Sequence, residues 1–209
     1  MTEQNRMGYK DAEAFLYALP KFTTKNSLDH TGFFLSKMGN PAKEMIKVHV
    51  AGTNGKGSVC AYLQGLFGEA GYQVGGFISP HLITMHERFL LNGSPIDDER
   101  FMESFYHVKQ IADQALEEGV PYPTFFEFLF FMGMDIFEKA GMEVLVLETG
   151  LGGRLDAPMF LKRRISVLLP PLDWIIANIW VIPGRRLLPK RRDLLKKTHV
   201  SYLKPETMR

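Results

Sequence analysis

The fold of this chain is decided by the stretch IKVHVAGTNGKGS at residues 46–58. Its first half alternates β-branched and polar residues, which predicts a strand. A glycine-rich loop follows directly, and a helical stretch then runs to Gly71, a favourable residue for ending a helix. A strand, a glycine-rich loop and a helix in this order are the arrangement that a triphosphate site requires.

The loop residues themselves have the chemistry of a phosphate site. Glycines let the backbone approach phosphate oxygens with its N–H groups turned inward, and the helix N-terminus adds its dipole. Lys56 can reach the outer phosphates, and Ser58 can bind a phosphate oxygen or Mg²⁺. The loop departs from the common Gly-x4-Gly-Lys-Ser/Thr form because Gly57 follows Lys56. The alternative is a simple glycine-rich turn, but the Gly-Lys-Gly-Ser core favours ATP binding by Gly52, Thr53, Asn54, Gly55, Lys56, Gly57 and Ser58.

The remaining periodicity predicts an α/β domain with a mostly parallel sheet. Apolar spacing indicates helices over 9–19, 98–118 and 124–140, and short apolar runs indicate strands over 74–79 and 143–148. The last of these has an unbroken Val-Leu-Val-Leu core, which is typical of a strand buried on both faces. Strands that alternate with helices imply parallel pairing.

Composition places the chain among ordinary globular proteins. It has 209 residues, of which 45% are hydrophobic and 23% charged, enough for one good-sized domain. The single cysteine, Cys60, is consistent with a reducing compartment and is expected to serve packing. The first residues lack the layout of a secretion signal, and no apolar run is long enough to cross a bilayer. We expect a cytoplasmic monomer without a membrane partner.

Five motifs in order resemble those of the folylpolyglutamate and dihydrofolate synthases, a branch of the Mur ligase superfamily. Besides the phosphate loop they are Gly39-Asn40-Pro41, Ser79-Pro80-His81-Leu82 with Glu87-Arg88-Phe89, Thr124-Phe125-Phe126-Glu127, and Glu148-Thr149-Gly150-Leu151-Gly152-Gly153-Arg154-Leu155-Asp156-Ala157. The resemblance covers about residues 8–157. It implies a Mur ligase-like ATP-binding domain in which ATP phosphorylates a folate carboxylate and the amine of L-glutamate displaces the phosphate.

The resemblance also implies a role for individual residues. Lys56 corresponds to the catalytic lysine, and Ser79 and Glu148 correspond to ligands of Mg²⁺, a cation that prefers oxygen donors. Contact with the folate or pterin is implied for Thr124, Phe125, Phe126, Glu127, His81 and Arg88.

Several of these residues have a structural alternative. Ser79 is also a natural turn residue before Pro80. Thr124 and Glu127 fit a capping box that opens an apolar helix, and the two phenylalanines between them fit the core. His30 lies in a Leu-Asp-His triplet that resembles a family metal motif, but it precedes the phosphate loop, so we expect a surface residue.

Charge divides the chain sharply after Ala157. Residues 1–157 contain 13 Lys and Arg against 20 Asp and Glu, whereas residues 158–209 contain 12 against 3. A basic segment of this kind indicates either a nucleic-acid-binding arm or a segment of different origin. The family signature also stops here, because Pro158 stands where Thr-Asn is expected.

A shifted reading frame explains the basic segment. One base restored before the codon of Pro158 allows Pro158-Met159-Phe160 to read Thr-Asn-Val. In the same frame the single codon of Trp174 forces Leu-Asp, that of Trp180 forces Gly, and residues 189–193 permit Glu-Lys-Ala-Gly. These are the family motifs expected at these places. We interpret 158–209 as a frameshift product and expect no nucleic-acid partner.

This interpretation makes 1–157 a partial ATP-binding domain. We expect the sheet to lack its remaining strands, and the C-terminal glutamate-ligase domain, the metal-binding histidine and the second lysine of the family to be missing. The alternative to an active ligase is therefore a non-catalytic remnant of low stability that binds nucleotide weakly.

Overall fold

A computed structural model describes residues 7–21, 28–52, 54–149 and 164–169. Five α-helices and six strands occupy these residues. The helices are α1 (Tyr9–Ala18), α2 (Leu28–Lys37), α3 (Lys56–Glu69), α4 (Asp98–Glu117) and α5 (Phe125–Lys139). The strands are β1 (Ile46–Gly52), β2 (Val74–Phe77), β3 (Phe89–Leu91), β4 (Ser94–Pro95), β5 (Val144–Glu148) and β6 (Arg164–Leu169), with a 3-10 turn at Met85–Arg88 before β3.

The strands form one sheet in the order β4-β3-β2-β5-β1-β6. The four strands β2, β5, β1 and β6 are parallel, and β3 and β4 add an antiparallel edge. The mostly parallel α/β sheet predicted from the sequence is therefore confirmed. Helix α2 and the β3–β4 pair are additions that the sequence patterns did not reveal.

Strand β6 corrects one expectation about the segment after Ala157. The sheet was expected to lose its remaining strands there, yet Arg164–Leu169 pairs in parallel with β1 along the register from Lys47↔Arg164 to Gly52↔Leu169. β1 thus has a neighbour on both sides. The expectation was wrong because the alternating apolar residues of this segment fit a strand whatever reading frame produced them.

Strand β5 joins the two layers of the core. Successive side chains on a strand point to opposite faces, and here Leu145 and Leu147 pack with one cluster while Val144 and Val146 pack with another. The larger cluster collects the aromatic faces of α1, α4 and α5, and the smaller one lies under α3. All four side chains are at most 1% exposed, which confirms burial on both faces.

Helix boundaries follow local chemistry. The N-cap of α4 is Asp97, which accepts a hydrogen bond from the Arg100 N–H. Gly71 adopts the left-handed conformation just beyond the end of α3, with φ 86°, as its position after the helical stretch predicted. Within the described ranges no helix is both long and apolar enough to span a bilayer.

Candidate active site

The glycine-rich loop connects the end of β1 to the start of α3. Gly55 is the N-cap of α3 and has a left-handed backbone, with φ 76°, a conformation that disfavours a side chain. Asn54, Gly55, Gly57 and Ser58 are exposed and Lys56 is half-buried, while Thr53 lies outside the described residues. Because the first-turn N–H groups of a helix have no partner within it, this exposed turn can present donors to an anion.

Glu148 lies beside this loop at the carboxyl end of β5. It is 4% exposed, and its Oε2 accepts a hydrogen bond of 2.9 Å from the Ser79 N–H. Burial raises the pKa of Glu148, although the Ser79 N–H and the charges of Lys56 and Arg88 act in the opposite direction. A nearly buried carboxylate with cationic neighbours at a strand end is the usual position of a ligand site in α/β sheets.

A second contact fixes this strand end to the phosphate loop. The Thr149 N–H and hydroxyl both donate to the Val50 carbonyl, at 2.9 and 2.8 Å. Since that hydroxyl proton is used, the 2.9 Å contact with Nε2 of buried His49 has the imidazole as the donor. The ends of β1 and β5 are thereby held together, which positions Glu148 relative to the loop.

Ser79, His81 and Arg88 come from the connection between β2 and β3. The Ser79–Pro80 peptide bond is cis. Arg88 is 6% exposed, and its Nε–H donates to Nδ1 of His81 at 2.7 Å. Burial lowers the pKa of Arg88, and the pKa of His81 is lowered by burial and by the Arg88 charge. This connection therefore brings a cation to the edge of the Glu148 site.

The exposed tip of the same connection is held by Glu87. Its carboxylate accepts the N–H groups of Leu82, Ile83 and Thr84 at 2.8 to 2.9 Å. These backbone hydrogen bonds lower the pKa of Glu87. The contacts order the loop that carries Ser79 and His81, although Leu82 and Ile83 are 90% and 86% exposed.

Thr124 and Glu127 form the capping box of α5. Oε2 of Glu127 accepts the Thr124 N–H at 2.9 Å and the Thr124 hydroxyl at 2.8 Å, and Thr124 accepts the Glu127 N–H. The structural alternative proposed for these residues is thus confirmed. A contact of Glu127 with a pterin stays a prediction, and it would have to share this carboxylate with the cap.

His30 is a further neighbour of Glu127, and its expected surface position was wrong. It is 8% exposed, its Nε2 lies 2.8 Å from the Pro121 carbonyl, and its Nδ1 lies 3.5 Å from Oε1 of Glu127. The reason is helix α2, whose inner face carries His30 against α5. The residue is therefore part of the support of the α5 N-terminus.

The two candidate folate phenylalanines at the start of α5 have different surroundings. The Phe125 ring stacks on Tyr17 with centroids 5.6 Å apart and faces the Arg88 guanidinium at 5.6 Å. Phe126 packs edge-on against the core residue Phe77. Only Phe125 is therefore placed beside the other candidate folate contacts.

Several of the described site residues form one connected group around Glu148 and Arg88. Lys56, Ser79 and Arg88 surround Glu148, and His81 and Phe125 continue from Arg88. Sequence reasoning missed Tyr17, Thr149 and His49 as members of this group. Tyr17 lies outside the apolar spacing of its helix, so its predicted exposure was the one sequence signal that it could belong to a site. The His49–Thr149 contact has no such signal, because it joins residues 100 positions apart.

The donors also fit the chemistry of Mg²⁺. Ser79 and Glu148 are in contact through the Ser79 N–H, and a hydroxyl and a carboxylate are oxygen ligands of the kind that Mg²⁺ takes, with phosphate and water completing its shell. No group of three or more His, Cys, Asp or Glu side chains surrounds a common point in the described part of the chain.

Comparisons with known proteins indicate the family of the chain. No family model matches the chain. A dihydrofolate synthase/folylpolyglutamate synthase from Bacillus subtilis is 35% identical over 163 residues, 77% of this chain and 37% of that protein. A folylpolyglutamate synthase from Arabidopsis thaliana is 33% identical over 174 residues, 79% of this chain and 30% of its own length.

Solved structures give the same result. The folylpolyglutamate synthase of Thermotoga maritima superposes with a TM-score of 0.68 at 34% identity, over 76% of this chain and 38% of that one. A folylpolyglutamate synthase complex with AMPPCP and folate gives a TM-score of 0.73 at 26% identity, over 78% and 40%. The chain therefore spans between a third and two fifths of most of these proteins.

The fold and the loop define a Mur ligase-like α/β domain of the ATP-binding type. Within that class, the chain belongs to the folylpolyglutamate and dihydrofolate synthase family as a partial sequence. The resemblance noted in the sequence motifs is thus confirmed.

Proposed function

We propose that this chain supplies the ATP- and folate-binding part of a ligase that joins L-glutamate to folate. The observation that carries the proposal is the arrangement of Lys56, Ser79 and Arg88 around the buried Glu148, directly beside the glycine-rich loop. The proposal that both ATP and folate bind is supported by a similar folylpolyglutamate synthase whose structure is a complex with AMPPCP and folate.

The reaction needs two anions to approach each other. A carboxylate oxygen of folate attacks the γ-phosphorus of ATP and ADP leaves; the amine of glutamate then attacks the acyl carbon and phosphate leaves. Lys56 offsets negative charge on the transferring phosphoryl group, and the loop N–H groups orient the phosphates. Arg88, a second cationic neighbour of Glu148, offsets the charge of the folate carboxylate.

Mg²⁺ would be held by Glu148 and Ser79 in this proposal. When bound there, the ion would supply positive charge that neutralises the phosphate oxygens. The raised pKa of Glu148 fits such a role, because a buried carboxylate gains most from a nearby cation. The His49–Thr149 contact keeps the carboxylate at the loop when charge accumulates there.

For the 209-residue chain itself we propose binding without turnover. The lysine of Glu-Lys-Ala-Gly and the metal-binding histidine that the family resemblance predicts after Ala157 do not occur there as amino acids. We therefore expect the chain to bind its substrates without joining them.

Equilibrium dialysis tests the proposal with the full chain. We expect ATP to bind in the presence of Mg²⁺ and folate to bind independently of ATP. Dihydropteroate is measured in the same way as a second ligand in place of folate. A folded chain that retains neither ATP nor folate would contradict the proposal. Elongation of folate that depends on ATP and glutamate would instead contradict the absence of turnover.

A further inference from the structure

Tyr17, on α1, contacts two of the proposed folate residues, His81 on the β2–β3 connection and Phe125 on α5. Its hydroxyl lies 2.8 Å from Nε2 of His81. Its ring is nearly parallel to that of Phe125, with an interplanar angle of 10°. The residue nevertheless remains 46% exposed, so one side of the phenol is open at the rim of the site.

The hydrogen bonds from Arg88 to Tyr17 have a fixed direction. A guanidinium has no acceptor, so Nε–H of Arg88 donates to Nδ1 of His81. Nδ1 then carries no proton, and the imidazole proton is on Nε2. His81 therefore donates to the oxygen of Tyr17, and the phenol accepts in this contact.

This direction leaves the Tyr17 hydroxyl with its own proton to donate. Among the described residues, no second hydrogen bond of this hydroxyl is found beside that to His81. The Arg88 guanidinium donates to His81, which donates to the phenol oxygen of Tyr17. Because linked hydrogen bonds polarise one another, accepting this bond makes the phenol O–H a stronger donor. The open side of the site thus presents an O–H donor that is ready for an oxygen acceptor.

The ring contacts hold this donor in place. The Phe125 ring contacts both the Tyr17 ring and the Arg88 guanidinium, each at 5.6 Å. The Phe125 N–H also donates to the Pro20 carbonyl at 3.0 Å, which ties the start of α5 to the end of the α1 segment. The hydroxyl therefore cannot move far without disturbing the Phe125 and His81 contacts.

We propose that Tyr17 binds the folate directly, with its hydroxyl donating to an oxygen of the ligand. The inference rests on the proposed function, since it names a further residue of the same site. Folate offers three kinds of oxygen acceptor, the pterin carbonyl, the p-aminobenzoyl carbonyl and the glutamate carboxylates, and the ligand series below separates them.

The test compares the full chain with Tyr17→Phe, which keeps the ring and removes only the hydroxyl. Tyr62→Phe is the matched control, because Tyr62 is 63% exposed on α3. Dissociation constants for folate, pteroate, 6-hydroxymethylpterin and ATP are measured by equilibrium dialysis, and thermal unfolding is recorded for each variant. Loss of one such hydrogen bond should weaken folate binding about 3- to 10-fold.

Each outcome decides the proposal. Weaker binding of all three pterin ligands by Tyr17→Phe supports contact with the pterin carbonyl. Weaker binding of folate and pteroate supports contact with the oxygen of the p-aminobenzoyl group, and weaker binding of folate alone supports contact with a carboxylate of its glutamate. In every supporting case the ATP affinity and the melting temperature of Tyr17→Phe equal those of Tyr62→Phe. Unchanged folate affinity, or an equal loss of ATP binding and stability, overturns the role of Tyr17. If the unmodified chain binds no folate, the proposed function itself fails.

Discussion

At the scale of single residues, Lys56 is expected to discriminate nucleotides by the number of phosphates. Its position at the start of α3 lets it reach the outer phosphates. Lys56→Ala should therefore weaken ATP binding about tenfold or more while AMP binding changes little. Competition dialysis with the two nucleotides measures the difference, and Lys10→Ala, an exposed lysine on α1, is the control. Equal losses for AMP and ATP would count against a contact with the outer phosphates.

Glu148 is the residue on which the Mg²⁺ dependence should rest. Glu148→Gln retains an acceptor for the Ser79 N–H but removes the charge that a cation requires. We expect the enhancement of ATP binding by Mg²⁺ to disappear. Because burial raises the pKa of Glu148, the ionised form is disfavoured in the folded state, so the neutral variant should be at least as stable at neutral pH. A Mg²⁺ effect that persists in a folded variant would show that the ion is held elsewhere.

At the scale of elements, the N-terminus of α5 combines a structural cap with a candidate binding segment. Thr124→Ala removes the hydroxyl that bonds Glu127, and loss of such a cap should cost about 1 kcal/mol in the free energy of unfolding. Thr124→Ser keeps the hydroxyl and should recover most of this loss. Urea denaturation measures both variants, and equal stability of the alanine and serine forms would contradict the capping role.

The contact between α2 and α5 should make stability depend on pH through His30. Burial lowers the pKa of His30, but the Glu127 carboxylate 3.5 Å away and the hydrogen bond to the Pro121 carbonyl outweigh it, and the net pKa is raised. The folded state therefore holds the proton more tightly than the unfolded state. The resulting stabilisation is complete below the unfolded pKa of about 6.5 and is lost as the pH rises through the folded value.

Thermal unfolding from about pH 6 upwards tests this dependence. We expect the melting temperature of the unmodified chain to fall over this range and His30→Gln to remove part of the fall. His107→Gln is the control. His107, on α4, pairs at 2.8 Å with Asp135 of α5, the helix that carries Glu127, but does not contact Glu127 itself. An unchanged fall in the His30 variant would show that the pair with Glu127 contributes nothing.

Local patterns predicted most helices and strands, and contacts between distant segments supplied the rest. The 46–52 strand, the loop and α3 follow from neighbouring residues, and so does the capping box of Thr124. His30 could not be placed because its burial depends on Glu127, 97 positions later. Tyr17 was missed for the same reason, since its partners lie on a loop and a helix far along the chain.

At the scale of the whole molecule, the strand order decides how the segment after Ala157 matters. β1 precedes the phosphate loop and lies between β5 and β6. Without β6 it would become an edge strand with unpaired backbone groups next to the candidate ATP site. The basic segment thus contains one stretch that the sheet uses, even though its amino-acid sequence departs from the family signature.

Two truncations separate this contribution from the rest of the segment. A chain ending at residue 169 keeps the six paired positions of β6, whereas a chain ending at residue 157 loses them all. We expect the first to melt as the full chain does, and the second to melt at a lower temperature and to associate through the exposed edge of β1. Thermal unfolding and gel filtration at matched concentration measure the two effects. Equal melting and a monomeric elution of both truncations would mean that β6 adds no stability, and 1–157 would then fold as an independent unit.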